Sequence, residues 1–267
     1  MAEEPVEPIE ALELRCYFVR RRNCLLVRGT FTDLYLEYYL HLMQHGLEYP
    51  RRHDDMLKDA MAAIALHCGS RPHDETTAWT LHWQQPLMNL FVTGGGHPLC
   101  GVAGRVFVDE VRQMEHSLMI AQTLRRQQAP RQSMVEVHGD DVLGAVEQFY
   151  RQSEQRPTRL FRLPQEDFIQ VSAEPDADLA WLESLETGQM ATLDQREELS
   201  LLETRLVRWH CGCGLHRLYP MLLRMQDAEL DEIFAGGFAP VQCPRCAARY
   251  QSQRDDFDRW RQSQSEA

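Results

Sequence analysis

Between Phe31 and His45 the apolar residues Leu34, Tyr35, Tyr38, Tyr39 and Leu42 recur at helical spacing. This predicts a helix with Thr32 or Asp33 as N-cap and Gly46 as its stop. A second helix is predicted after Asp54, with Leu57, Ala60, Met61, Ile64 and Ala65 on one face and an end near Gly69. The period then shortens. In AWTLHW, Trp79, Leu81 and Trp83 alternate with polar neighbours, LMNLFV runs into Gly94, Gly95 and Gly96, and GRVFV comes next, a pattern of consecutive antiparallel strands. The glycine triplet lacks the Lys-Ser or Lys-Thr of a phosphate loop and reads as a hairpin turn. Further on, MVEVH predicts a strand, Asp140 or Asp141 caps a helix reaching about Gln152, and RLFRL and DFIQVSA predict two more strands. Together these define an α+β domain over residues 1–173.

From Glu174 the pattern changes. Leu179, Leu182 and Leu185 give a short apolar face, Gly188 interrupts it, and Leu199, Leu202 and Leu206 resume it, so residues 174–208 read as an amphipathic helical linker with a break. Helices this short are marginal in water, so the order of the linker should depend on the surface it covers. Residues 209–267 form the third unit. Leu215, Leu218, Leu222, Leu223 and Met225 predict one helix, Leu230, Ile233 and Phe234 a second, Gly236-Gly237 a turn back, and the polar tail from about Gln251 a frayed end or short helix.

Cysteine placement explains why that last unit is set apart. Cys16, Cys24, Cys68 and Cys100 are scattered singly, whereas Cys211-Gly212-Cys213 and Cys243-Pro244-Arg245-Cys246 are tight pairs. The opening MAEEPVEPIEALEL is acidic where a secretory signal would be basic, and no stretch reaches the roughly 18 apolar residues of a membrane span. The expected compartment is therefore the cytoplasm, with no membrane partner. There, close cysteines are metal ligands or redox groups before they are structural disulfides. A net charge of -12 argues against nucleic acid as a partner. The one dense basic run, Arg20 to Arg22, reads as a solvated patch.

Four thiolates in two chelating pairs, separated by a patterned spacer of 29 residues, suit one tetrahedral zinc ion held by Cys211, Cys213, Cys243 and Cys246. The simplest meaning of such a site is a structural zinc ribbon. The one-residue spacer at Cys211 and Cys213 adds a second: it keeps two sulfurs close enough to oxidise once the metal leaves. Arg217, Arg245 and Arg249 add favourable charge for thiolates. Because zinc supplies folding free energy, its loss should unfold the unit.

The Cys-x-Cys, spacer, Cys-x-x-Cys arrangement after an α+β domain and a linker resembles the 33-kilodalton heat-shock protein family, the redox-regulated holdase chaperones. The segment FYRQSEQRPTRLF from Phe149 to Phe161 is similar to that family's Ser-Glu-Gln-x-Pro-Thr-Arg segment. PLMNL from Pro86 to Leu90, Gly101-Val102-Ala103 and the ELDEI run before the second pair match as well, so the resemblance spans about Val19 to Tyr250. It implies a zinc-bound, inactive reduced state. Oxidants would then link Cys211 with Cys213 and Cys243 with Cys246, release zinc, unfold the module, loosen the linker and expose apolar surface that binds unfolding proteins without ATP. A homodimer in the oxidised state is part of the same expectation. Two departures stand out: Gln84-Gln85-Pro86 replaces a Gly-Asp-Gly-Pro turn, and the linker runs from Leu206 almost directly into Cys211, without the strand-like stretch that usually precedes the first pair.

The other candidates are weaker. Cys68 beside His67, and Cys16 and Cys24 around the basic segment, lack chelating spacing and read as buried, inert thiols. His210 and His216 flank the first pair as neighbours rather than ligands. No Ser-His-Asp signature, Walker loop or paired-carboxylate motif points to an enzyme. A thiol-disulfide oxidoreductase using Cys243 and Cys246 would need a βαβ setting and a long helix after Cys246, which the pattern lacks. The remaining alternative is a constitutive zinc-ribbon adaptor for protein partners. Linker leucines Leu179, Leu182, Leu185, Leu199 and Leu202 and the sheet residues Trp79 and Trp83 are candidate client contacts.

Overall fold

The computed structural model describes residues 10–265. Strand β1 (Leu12–Val19) alternates Leu12, Leu14 and Cys16 inward against Glu13 and Arg15, and β2 (Cys24–Thr30) returns antiparallel to it. Helix α1 (Thr32–Gln44) then buries Leu34, Tyr35, Tyr38 and Leu42. Neither Thr32 nor Asp33 caps it. Its N-cap is Phe31, whose ring is fully buried and whose amide donates to the Glu166 carbonyl at 2.9 Å, so tertiary anchoring sets the start. Helix α2 (Arg51–Gly69) begins directly after Pro50, ahead of Asp54. Asp54 instead accepts hydrogen bonds from Tyr38 at 2.6 Å and Tyr39 at 2.8 Å, which pins α1 to α2. The run from Met56 to Gly69 in α2 is buried on nearly every side except Lys58, as expected of a helix lying between a sheet and other helices.

The predicted meander comes next: β3 (Glu75–Gln84), β4 (Leu87–Gly95) and β5 (Leu99–Phe107) are antiparallel neighbours. Gly95 and Gly96 both take positive φ in the turn between β4 and β5, and a Cβ at Gly95 would lie 2.7 Å from the Thr76 hydroxyl. Gln85-Pro86 forms a short turn between β3 and β4, with a cis peptide bond. Strands β6 (Ser117–Arg125) and β7 (Arg131–Val137) extend the sheet beyond β3. Asp141 caps α3 (Val142–Gln152), its carboxylate accepting from the Gly144 amide at 2.7 Å. Strands β8 (Thr158–Leu163) and β9 (Asp167–Ala173) then pair with each other, and β9 pairs with β2.

The linker departs from its predicted form. Short helices α4 (Leu179–Glu183), α5 (Thr187–Met190) and α6 (Leu193–Arg196) occupy only its first part, and β10 (Leu199–Trp209) is a strand. Among the described residues ten strands form one sheet in the order β7-β6-β3-β4-β5-β10-β1-β2-β9-β8. Strand β10 joins its two halves, antiparallel to β1 and parallel to β5. Leu199, Leu202 and Leu206 fit a helical period, but Leu201, Val207 and Trp209 do not share that face, and the slot between β1 and β5 offers two rows of unsatisfied backbone groups that only a strand fills. The strand-like stretch ahead of the first cysteine pair is thus present.

Three apolar clusters result among the described residues. The largest packs α1, α2 and α3 on one sheet face around Trp79 and Trp83, both of which are core. A second puts Leu182, Leu185, Met190 and Leu193 of α4–α6 against Leu26, Phe161, Ile169 and Val171. Arg22 reinforces that docking: its guanidinium meets Asp178 at 2.7 Å and Glu197 at 3.0 Å, so part of the basic run clamps the linker rather than facing water. The third cluster belongs to the C-terminal module, built from α7 (Leu215–Leu222), α8 (Asp227–Phe234), β11 (Phe238–Gln242), β12 (Arg249–Gln253) and α9 (Arg254–Ser265). Phe257 of α9 is fully buried against Tyr219 and Phe234, so the described part of the polar tail is an integral helix.

Candidate metal centre

Both cysteine pairs are shaped by local backbone. Gly212 takes φ +65, which L side chains rarely adopt, and a Cβ there would lie 2.9 Å from the Arg217 guanidinium. Arg217 donates to the Gly212 carbonyl at 2.7 Å and holds the turn. The second pair forms a knuckle between β11 and β12. Its amide-carbonyl bonds are Cys243 N to Ala248 O at 2.9 Å and Ala247 N to Cys243 O at 3.0 Å, and the Arg245 amide donates to Cys243 Sγ at 3.4 Å.

These turns bring the four sulfurs within 4.8 Å of one another. Cys211 Sγ lies 3.7 Å from Cys243 Sγ, and Cys213 Sγ 3.5 Å from Cys246 Sγ. A tetrahedron with sulfur-to-metal bonds of about 2.3 Å has edges of about 3.8 Å, so the donor set fits one tetrahedral ion. Cys243 and Cys246 are buried, whereas Cys211 and Cys213 are half-buried, so an attacking reagent meets the first pair before the second.

As free thiols the four groups share protons. Hydrogen bonds from Cys211 hold Cys213 down at about 6 and Cys243 far below its ordinary value, while the same network raises Cys211 and Cys246. Burial, together with the contact to Cys213, raises the Tyr250 phenol, which stays protonated and donates to Cys213 Sγ at 3.2 Å. This is the hydrogen bonding that stabilises a thiolate.

The knuckle is also anchored to the large domain. Arg105 of β5 donates to the Cys243 carbonyl at 3.0 Å, and His41 Nε2 lies 2.8 Å from the Cys246 carbonyl. Burial lowers the His41 pKa, favouring the neutral ring, whose Nε2–H can donate in that contact. Trp209, at the end of β10, packs against His41 and Tyr38 with centroids 5.0 and 5.2 Å apart. Glu37 accepts from the Trp209 amide at 2.8 Å and from Arg208 Nε at 2.6 Å.

All four predicted ligand residues are brought together. His210 and His216 are not among them; His216 packs on Tyr219 instead. Tyr250, His41, Arg105 and Glu37 were missed. Tyr250 could have been suspected from its position four residues after Cys246, but nothing in sequence ties His41 to a carbonyl 205 residues away.

Among the described residues, a ten-stranded sheet with helices on its faces and a C-terminal cluster of four cysteines close enough to bind a metal define an α+β protein. The chain belongs to the Hsp33 family: the family profile described as Hsp33 protein matches residues 26–253. It is 26% identical to the 33 kDa chaperonin of Edwardsiella ictaluri, over 88% of this chain and 90% of that relative. The 33 kDa chaperonin of Pectobacterium carotovorum is also 26% identical, over 84% of this chain and 88% of that relative. The crystal structure of the 33 kDa chaperonin from Thermotoga maritima superposes with a TM-score of 0.72, covering 97% of this chain and 100% of that one at 13% identity, a likeness of fold. Family membership makes this protein a chaperone. No helix among its described residues is long and apolar enough to cross a membrane.

Proposed function

We propose that this chaperone is a redox-regulated, ATP-independent holdase whose switch is a zinc ion held by Cys211, Cys213, Cys243 and Cys246. One observation carries the reading: the half-buried Cys211–Cys213 pair lies directly after β10, the strand that joins the two halves of the sheet. Events at these sulfurs are therefore transmitted to the linker. Bound zinc would keep the sulfurs as thiolates and tie both pairs into one fold. Zinc is the divalent ion that four thiolates in a closed tetrahedral site favour.

In the switching step each disulfide forms as two thiolates give two electrons to a peroxide, whose O–O bond breaks and whose two oxygens take up two protons from solvent to leave as waters. A neutral disulfide sulfur is a poor ligand, so the cysteines would no longer hold the ion and the module would lose folding free energy on the order of 10 kcal/mol. The sulfur contacts of 3.7 and 3.5 Å cross between the pairs, so the pairing of Cys211 with Cys213 and Cys243 with Cys246 rests on the family resemblance and is checked by peptide mapping. With the module unfolded, β10 keeps Glu37 as an anchor but loses the folded body at its C-terminal end. Leu201, Leu202 and Leu206, already exposed, and then Leu182 and Leu185 beneath α4–α6, become the apolar surface offered to unfolding clients. The unit boundaries 1–173, 174–208 and 209–267 and an oxidised homodimer belong to the same reading, as does a cytoplasmic location.

The test tracks zinc with a chromogenic chelator while hydrogen peroxide is added under mild heat, and assays the same samples for suppression of client aggregation. One equivalent of zinc leaving together with the gain of suppression, both reversed by reductant, is the expected outcome. Zinc loss without suppression would leave a structural site and sink the switch.

A further inference from the structure

Cys68 lies in the last turn of helix α2 and Cys100 in β5, and the fold brings the two to one small cavity. Both are buried, at 8% and 5% exposure. The Cys68 sulfur fills the space that a side chain at Gly94 would take, since a Cβ there would lie 2.8 Å from it. Both cysteines line one small cavity, together with Arg71, His73, Thr77 and Arg205. Arg205 belongs to β10, and its guanidinium donates to the Cys68 carbonyl at 2.6 Å. By contrast, Cys16 and Cys24 sit on different sheet faces in separate clusters, and burial pushes each up to about 11.

We propose that Cys68 and Cys100 are a second dithiol couple, separate from the four-cysteine centre, which hydroperoxides convert to a disulfide joining α2 to β5. Hydrogen bonding between the two neighbouring thiols lowers Cys100 and raises Cys68, and the Arg205 charge favours a thiolate at both. Cys100 is therefore the attacking sulfur. Its thiolate takes one peroxide oxygen, the O–O bond breaks, and the departing hydroxide picks up a proton to leave as water. The sulfenic acid on Cys100 is then attacked by the Cys68 sulfur; the S–O bond breaks, and a second water carries off the Cys68 proton. In total two thiols and one hydrogen peroxide become one disulfide and two waters.

The cavity holds only about 10 Å³, the lower limit for a single water, so a peroxide does not fit beside the sulfurs while Arg205 is in place. Since Arg205 is carried by β10, oxidation of the couple waits on displacement of that strand. The couple should react more slowly than the half-buried Cys211 and Cys213.

The zinc-loaded, full-length protein would be treated with hydrogen peroxide, quenched in acid at intervals, alkylated and mapped by peptide mass spectrometry. The expected result is a cross-linked peptide joining Cys68 to Cys100, with loss of alkylatable thiol at both after the loss at Cys211 and Cys213. Cys16 and Cys24 remain alkylatable, and Cys100→Ala abolishes the cross-link while keeping its zinc. Persistence of both thiols after the four-cysteine centre is fully oxidised would overturn the proposal, as would oxidation to sulfinic acids without a cross-link. Zinc release and client suppression, read separately on the same samples, report on the holdase switch and not on this couple.

Discussion

At the scale of single residues, the chemistry of this protein depends on a few side chains whose environment departs from water. Cys246 is one. Replacing it with Ser removes one of four soft ligands from a buried corner of the tetrahedron, and bound zinc should fall from one equivalent to almost none, measurable by metal analysis of the purified variant. His67 is another. It is enclosed beside Trp79 and contacts the Tyr150 hydroxyl at 2.6 Å, and burial drives its pKa well below the ordinary value. The unfolded chain therefore binds a proton that the folded protein refuses. Stability from this residue is intact above the unfolded pKa of about 6.5 and falls as pH drops below it, by up to about 1.4 kcal/mol per pH unit. A series of urea midpoints from about pH 7.5 to 5.5 should show a weaker decline in His67→Gln than in the parent; equal slopes would mean that His67 titrates freely. The four sulfurs of the centre were legible because chelating cysteines are close in sequence. His67 and the Cys68–Cys100 contact were not, because burial and cross-chain contact leave no local mark.

At the scale of elements, helix period and strand alternation identified α1, α2, α3, β3, β4, β5, β7, β8 and β9 and the helices of the module. Local pattern did not mark the strands β1, β2, β6, β11 and β12, although Leu12, Leu14 and Cys16 alternate cleanly. The most consequential misreading was β10, where leucines at a helical interval occupy a strand. Local pattern could not settle it, because the choice is made by the open backbone edges of β1 and β5. Glu37 on α1 secures the C-terminal end of that strand. Its carboxylate is largely buried and serves both the Trp209 amide and Arg208. Glu37→Ala should therefore cost about 1–3 kcal/mol of local stability. It is expected to speed proteolytic cleavage within β10 without lowering zinc content; unchanged cleavage would show that β10 is held by its ladders alone.

At the scale of the whole molecule, the apolar clusters differ in size. The large domain has a continuous core under a ten-stranded sheet, whereas the module depends on a small cluster around Tyr219, Phe234 and Phe257 and on its cysteines. Removing the metal with a chelator under reducing conditions should therefore unfold the module while sparing the rest. Hydrogen exchange is expected to show loss of protection over residues 211–265 and retained protection in α2. Retained protection in both would mean that the contacts of Arg105 and His41 suffice to hold the knuckle.

The sequence by itself determined the α+β class and marked out the four cysteines that the fold gathers, because periodicity and chelating spacing are short-range properties. Tertiary structure alone decided that β10 completes the sheet, that His41 and Arg105 hold the knuckle carbonyls, and that Cys68 meets Cys100. Each of these depends on distant segments meeting. What decides them is the need of buried backbone and polar groups for partners, and those partners can lie anywhere along the chain.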